Sequence, residues 1–212
     1  MFLTMWNALN KTDDDIAKFM PKVHATNEFI KDGFVQPYAD SPLDSEAVGE
    51  NVYLNIINMA KDYIYIYTPY LILDHEMMTA LCLASKRGVD VKIMTPGIPD
   101  KKMVFYVTQS NYRQLVKAGV KVYEFAPGFL HAKCFVSDDQ IATVGTINLD
   151  FRSLYLHFEC GVFLYQTTTV LDVKYDFEKT LTQCVEMTPD LLVRRLPIRI
   201  IQGLLRLFSP LM

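Results

Sequence analysis

The sequence predicts an α/β fold in which helices pack on the faces of a sheet with parallel members. Two observations carry this. Between Ser45 and Phe125, helical and strand periods alternate as βαβαβ, and the strand runs are β-branched and aromatic while glycine or proline closes most segments. The chain of 212 residues is half hydrophobic and 21% charged, enough to bury one core with an appendage.

The first 45 residues are irregular: Asp13-Asp14-Asp15 opens a short amphipathic stretch ending at Pro21, and Gly33, Pro37, Ser41 and Pro42 punctuate the rest of the segment. Residues 1–45 are expected to be an arm or linker. From Ser45 to Lys61, Val48, Val52, Ile56, Met59 and Ala60 recur at helical spacing, with Asp44 and Ser45 as available caps. Tyr63–Thr68 is a buried strand ended by Pro69; its tyrosines fit a core better than a stacking platform for bases. Asp74 can cap a helix that Gly88 terminates. A strand at 89–94, a helix at 101–118 ended by Gly119 and a strand at 120–125 complete the alternation. Short strands come next at 130–136, 141–144 and 158–165, with Asp138-Asp139 turning between the first two. A long helix is expected at about 170–186. The domain is thus placed at 46–186, with an amphipathic tail at 187–212 carrying Arg194, Arg195, Arg199 and Arg206. That tail suits either an interfacial helix on anionic lipid or a helix docked on the domain.

The net charge of -3 argues against bulk electrostatic capture of nucleic acid. Cys82, Cys134, Cys160 and Cys184 have no metal-ligand spacing and read as buried reduced thiols. The N-terminal run lacks the features of a signal peptide, and no apolar run reaches transmembrane length, so any membrane contact is expected to be peripheral.

Chemistry concentrates between His131 and Asn148. His131, Lys133, Asp138, Gly145, Thr146 and Asn148 fit the spacing H-x-K-x4-D-x6-G-(S/T)-x-N. On an extended chain, residues two apart share a face, so His131 and Lys133 project together. An imidazole can attack phosphorus or protonate a leaving oxygen, and an ammonium can offset charge on non-bridging oxygens. Gly145 allows close backbone approach, and Thr146 and Asn148 can donate to the same phosphate. No metal or other cofactor is needed by such a set. Asp138 lies five residues past Lys133; odd parity turns it away from the site, so a structural role is expected.

At these residues the chain resembles the phospholipase D superfamily. Gly145–Ser153 with Phe158-Glu159 is similar to the second motif of bacterial cardiolipin synthases, and the likeness extends through Val35–Pro42, Ala60-Lys61, Tyr67–Leu71, Lys86–Lys92, Ala118–Glu124, Gly128–Lys133 and Leu207–Leu211. The resemblance implies a phospholipase D-like layered α/β/α domain with a mixed, partly parallel sheet. It implies His131, Lys133, Asp138 and Glu159 as the catalytic set, with Gly145, Thr146 and Asn148 on the substrate phosphate and Glu159 orienting a histidine. Arg152 and Ser153 read either as headgroup contacts or as a capped turn. The implied reaction transfers a phosphatidyl group between two phosphatidylglycerol molecules through a phosphohistidine, releasing glycerol. The implied location is the bacterial cell membrane, peripherally on the cytoplasmic side, with phosphatidylglycerol and an anionic membrane surface as partners.

Cardiolipin synthases carry two such motifs, and this chain carries one. His24, His75 and His157 have no lysine two residues on. The chain therefore resembles the C-terminal half, with residues 1–45 matching the segment that joins the halves. One histidine cannot be both covalent nucleophile and leaving-group acid, so a second H-K-D half is expected, from a partner half or a homodimer. Two alternatives remain open: a homodimeric single-motif phosphodiesterase or nuclease, and an inactive truncated half. No nucleic-acid partner is expected.

Overall fold

The computed structural model describes residues 1–21, 32–43, 45–193 and 196–211. It divides into two compact units, Met1–Asp32 and Gly33–Met212. In the first, α1 (Phe2–Asn10) ends at Lys11 in the left-handed region. The Asn7 side chain then holds the next turn, donating to the Asp14 carbonyl at 3.0 Å and accepting from the Asp14 N–H at 3.2 Å. A 3-10 turn over Ile16–Phe19 is capped by Asp15.

The second unit is built on one sheet. Its strands are β1 (Phe34–Asp40), β2 (Tyr63–Tyr67), β3 (Asp90–Pro96), β4 (Lys121–Phe125), β5 (Cys134–Ser137), β6 (Ile141–Gly145), β7 (Glu159–Tyr165) and β8 (Cys184–Glu186). They lie in the order β1-β7-β6-β5-β2-β3-β4-β8. Only β2, β3 and β4 run parallel, joined by α3 (His75–Lys86) and α4 (Lys102–Ala118); the remaining pairs are antiparallel. The sheet is therefore mixed and partly parallel, as expected.

Period-two alternation along β2 builds a core on each face. Ile64 and Ile66 pack with α2 (Val48–Met59), α3 and α4, while Tyr63, Tyr65 and Tyr67 pack with α6 (Thr169–Leu181). The Tyr65 ring stacks on Phe177 at 4.9 Å between centroids, and the Tyr67 hydroxyl donates to Asp176 at 2.9 Å. The tyrosines are core, in a three-layer α/β/α arrangement.

Local signals set several boundaries as expected. The Asp74 carboxylate accepts the Met77 N–H at 2.7 Å and starts α3. Gly119, at φ 99°, ends α4 in a conformation that a side chain would disfavour. Asp138 and Asp139 turn between β5 and β6 with φ of 54° and 56°.

Elsewhere the structure corrects the sequence-based expectation. Residues 34–40 belong to the sheet rather than to an arm: β1 pairs along β7, and Pro37 is accommodated because β1 is an edge strand. Most of its side chains are exposed, which is why no apolar period marks it. Of the expected row on α2, Ile56 and Ala60 are buried and Val52 packs against the core, but Met59 is 61% exposed, and Gly49, Tyr53 and Ile57 complete the buried face. Its first turn is held by Asp40, whose carboxylate accepts the Gly49 N–H at 2.7 Å, and not by Ser45; Asp44 lies outside the described residues. The helix expected to reach Glu186 stops at Leu181, because β8 pairs with the outer edge of β4 and seats Met187 in the core. The cysteines are free thiols, but Cys160 is exposed and the others are only partly covered.

In the tail, α7 (Leu196–Arg206) packs on α4, with the Gln202 amide donating to the Tyr106 carbonyl at 3.3 Å. Arg194 and Arg195 lie outside the described residues. Among the described residues no helix is long and apolar enough to cross a membrane.

Candidate active site

The site forms where the sheet changes direction. β2 is flanked by parallel β3 and antiparallel β5, and such a switch at strand carboxyl ends leaves a crevice. The segment entering β5 and the end of β6 meet there, so that His131, Lys133, Gly145, Thr146 and Asn148 line one cleft of about 540 Å³. The regular strand begins only at Cys134, so His131 and Lys133 stand just before it rather than on it. Pairing with β6 nevertheless continues back to Lys133, whose carbonyl accepts the Gly145 N–H at 3.1 Å.

Lys133 is 8% exposed, and its ammonium donates to the His131 carbonyl at 2.6 Å. Burial pushes its pKa down, and the Glu159 carboxylate opposes that most strongly. The exposed imidazole of His131 packs beside the Phe129 ring, 5.3 Å between centroids. Its pKa is lowered, first by burial and then by the Lys133 cation, against the attraction of Asp100.

The segment from Thr146 to Leu149 is fixed from beneath. The buried Tyr53 hydroxyl donates to the Ile147 carbonyl at 2.8 Å, and the Leu149 N–H donates to the Thr68 hydroxyl at 3.1 Å. Neither support is signalled in the sequence, where Tyr53 falls within a helix and Thr68 at a strand end. Asn148 donates its Nδ2 to the Ser153 hydroxyl at 2.9 Å. Its Oδ1 is buried with no hydrogen-bond partner among the described residues. The amide donor expected to face phosphate is thus turned inward, beside buried Asp150, whose carboxylate also caps α5 (Phe151–Tyr155) through the Ser153 N–H at 2.9 Å. Ser153 accordingly belongs to a capped turn, while Arg152 donates from Nε to His157 at 3.3 Å.

Glu159 is 8% exposed and accepts the Thr146 hydroxyl; its other oxygen lies 3.7 Å from His157 Nδ1. Among the described residues it makes no hydrogen bond to His131. Gly145 does permit close approach, but the neighbour is the sheet itself: a Cβ there would sit 2.5 Å from the Cys160 carbonyl oxygen. Asp138 stands apart from the cleft. Its carboxylate accepts the N–H groups of Lys61 at 2.8 Å, Asp62 at 3.0 Å and Tyr63 at 2.9 Å, tying the hairpin to the start of β2. Near His131, the Tyr70 hydroxyl donates to Asp100 at 2.6 Å. Among the described residues no three His, Cys, Asp or Glu side chains gather as a metal site would require.

The chain matches the family described as "Cardiolipin synthase, PLD-like domain" over residues 53–181. It is 51% identical over its whole length to an uncharacterized protein of Streptococcus mutans, covering 46% of that protein. It is 40% identical to a cardiolipin synthase of Clostridium perfringens, covering 45% of it. The chain thus spans about half the length of the curated relatives it matches. Among solved structures, it resembles a phospholipase D family member from Salmonella typhimurium, with TM-score 0.63, 19% identity and coverage of 73% of this chain and 98% of that one. It also resembles phosphatidylserine synthase of Haemophilus influenzae, with TM-score 0.65, 19% identity and coverage of 84% and 45%. These two likenesses bear on fold alone, and they agree with the layered sheet described above. The match over most of the folded unit, with the motif inside it, makes this chain a member of the cardiolipin synthase phospholipase D-like domain family, a domain of phospholipase D-type enzymes.

Proposed function

We propose that this chain supplies one half of a cardiolipin synthase active site and acts with a second histidine from a partner half or a second copy. The observation that carries the reading is the convergence of His131, Lys133, Thr146 and Asn148 on one cleft that offers a single motif histidine. In the reaction, the second histidine attacks phosphorus of one phosphatidylglycerol. The bond to the glycerol oxygen breaks, and His131 gives that oxygen its proton. A hydroxyl of a second phosphatidylglycerol then attacks the phosphohistidine, returns a proton to His131 and frees the nucleophile. This assignment of His131 follows two-motif relatives, in which the C-terminal histidine is taken as acid and base. Lys133 offsets charge on the non-bridging oxygens. By the same analogy Glu159, which makes no hydrogen bond to His131, orients the incoming histidine.

The substrates are lipids, so the reaction sits at a membrane surface, on the cytoplasmic side in this reading. The test is to incubate the chain with phosphatidylglycerol vesicles and follow cardiolipin and glycerol by mass spectrometry, alone and with the N-terminal half of a relative. Light scattering on the same samples shows whether turnover tracks a two-site species. Cardiolipin formation that His131→Asn abolishes without changing thermal unfolding supports the assignment. Turnover retained by His131→Asn overturns it.

A further inference from the structure

Helix α7 leaves much of its apolar surface facing outward. On its inward side Ile198 and Leu205 are half-buried and Gln202 is buried and bonded to α4, and Ser209 is buried in the 3-10 turn that follows. Its outward side is apolar, with Ile200 56% exposed, Ile201 52% and Leu204 55%, and the turn and 3-10 segment that follow add Leu207 at 75%, Phe208 at 54% and Leu211 at 71%. Six large exposed apolar side chains between Ile200 and Leu211, three on α7 and three just past its end, form a stripe that exceeds what scattered surface hydrophobics explain.

The surroundings of that stripe are cationic in a chain whose net charge is -3. Residues 191–212 contain four arginines and no acidic residue, and α4 contains Lys102, Arg113 and Lys117 and no acidic residue. Between α4 and α7 lies a cleft of about 520 Å³, floored by Val116 and Leu192 and bordered by Arg113, Lys117 and Arg206. Among the described residues none of these three cations forms a salt bridge. At its far end the tail returns to the site, with Ser209–Leu211 packing against α5, which begins three residues past Asn148.

We propose that the α7 stripe with the α4–α7 cleft is a docking surface for a bilayer containing anionic phospholipid. The stripe enters the acyl boundary, and Arg113, Lys117 and Arg206 hold lipid phosphates at the headgroup level. Charge complementarity selects this occupant: a protein partner would meet an apolar stripe equally well, but unpaired cations beside it match an anionic surface. The inference deepens the membrane part of the function proposed above and rests on it, and its test reads binding rather than turnover.

The test is flotation of the full chain with vesicles of phosphatidylcholine alone and of phosphatidylcholine and phosphatidylglycerol in equal parts. The chain should float with the anionic vesicles and only weakly with the neutral ones. Leu204→Glu with Leu207→Glu should reduce anionic binding roughly tenfold or more, and Arg113→Gln or Lys117→Gln should each weaken it roughly fivefold. Circular dichroism should be unchanged, because these side chains are exposed; if the double variant loses helix, Leu207→Ser carries the comparison. Equal flotation with both vesicle types, or unchanged binding by the stripe variants, overturns the proposal. So does a stripe variant that turns a dimer into a monomer in light scattering while still floating, which would make the stripe an interface between copies. Cleavage of a water-soluble phosphodiester by the same variants reports on the site separately, so the two readings fail independently.

Discussion

The Thr146 hydroxyl donates to the Glu159 carboxylate and at the same time accepts the Cys160 N–H at 3.0 Å, so the motif's threonine and its downstream glutamate form one unit. That unit carries the charge that most opposes the loss of proton from buried Lys133. In the proposed reaction Lys133 serves as a cation, so its contribution is present below its pKa and lost as pH rises through it. Replacing Glu159 by Gln leaves the burial penalty less opposed and lowers that pKa further. The alkaline limb of the pH–rate profile should therefore move toward lower pH in Glu159→Gln. A limb that stays in place would show that Glu159 does not act through Lys133.

His131 should titrate below the ordinary imidazole range, because burial and the neighbouring Lys133 cation both disfavour its charged form. Lys133→Met removes the like charge and should raise the His131 pKa. Asp100→Asn removes the opposing carboxylate and should lower it. Both shifts are measurable by NMR of the ring protons in the folded protein. The sign distinguishes the two neighbours, and two shifts of the same sign would contradict the arrangement.

Asp138→Ala should destabilise the fold by about 2 kcal/mol, since a charged acceptor is removed from three backbone N–H groups. Urea unfolding of the variant gives the loss as a shift in midpoint. Activity per folded molecule should be nearly unchanged, since Asp138 does not line the cleft. A variant of full stability with reduced turnover would reverse that assignment.

Asp138 also marks what is legible in the sequence. Its odd parity from Lys133 and its place in a two-residue turn are local properties, and local properties can be read: the Asp74 cap, the Gly119 stop and the alternation along β2 are others. Partnerships made across the sheet cannot. Nothing near Phe34–Asp40 announces that its backbone will pair with β7, because its side chains are mostly exposed and the pairing rests on main-chain hydrogen bonds. The buried face of α2 departs from the row that apolar spacing predicts because it includes Tyr53, whose polar tip is satisfied by the Ile147 carbonyl. Spacing places Glu159 at a histidine, and among the described residues its carboxylate meets Thr146 and lies near His157 without a hydrogen bond to His131. Asn148 does line the cleft, but which end of its amide faces the cleft depends on Ser153 and Asp150, whose positions no spacing rule supplies.

Gly161 tests the contact between edge strand and sheet. It pairs with Gly145 across β6 and β7, and a Cβ at Gly161 would lie 2.5 Å from the Tyr38 ring on β1. Tyr38 has little room to yield, because its hydroxyl shares a 2.8 Å hydrogen bond with the buried Thr143 hydroxyl. Gly161→Ala should therefore cost about 1–3 kcal/mol through displaced packing and a broken bond. In a Tyr38→Ala background the obstructing ring is gone, and the same change should cost close to nothing. The double-mutant cycle in urea should return a coupling of about 1 kcal/mol or more between positions 38 and 161. Additive losses would mean that the added methyl strains β7 itself rather than pushing on Tyr38.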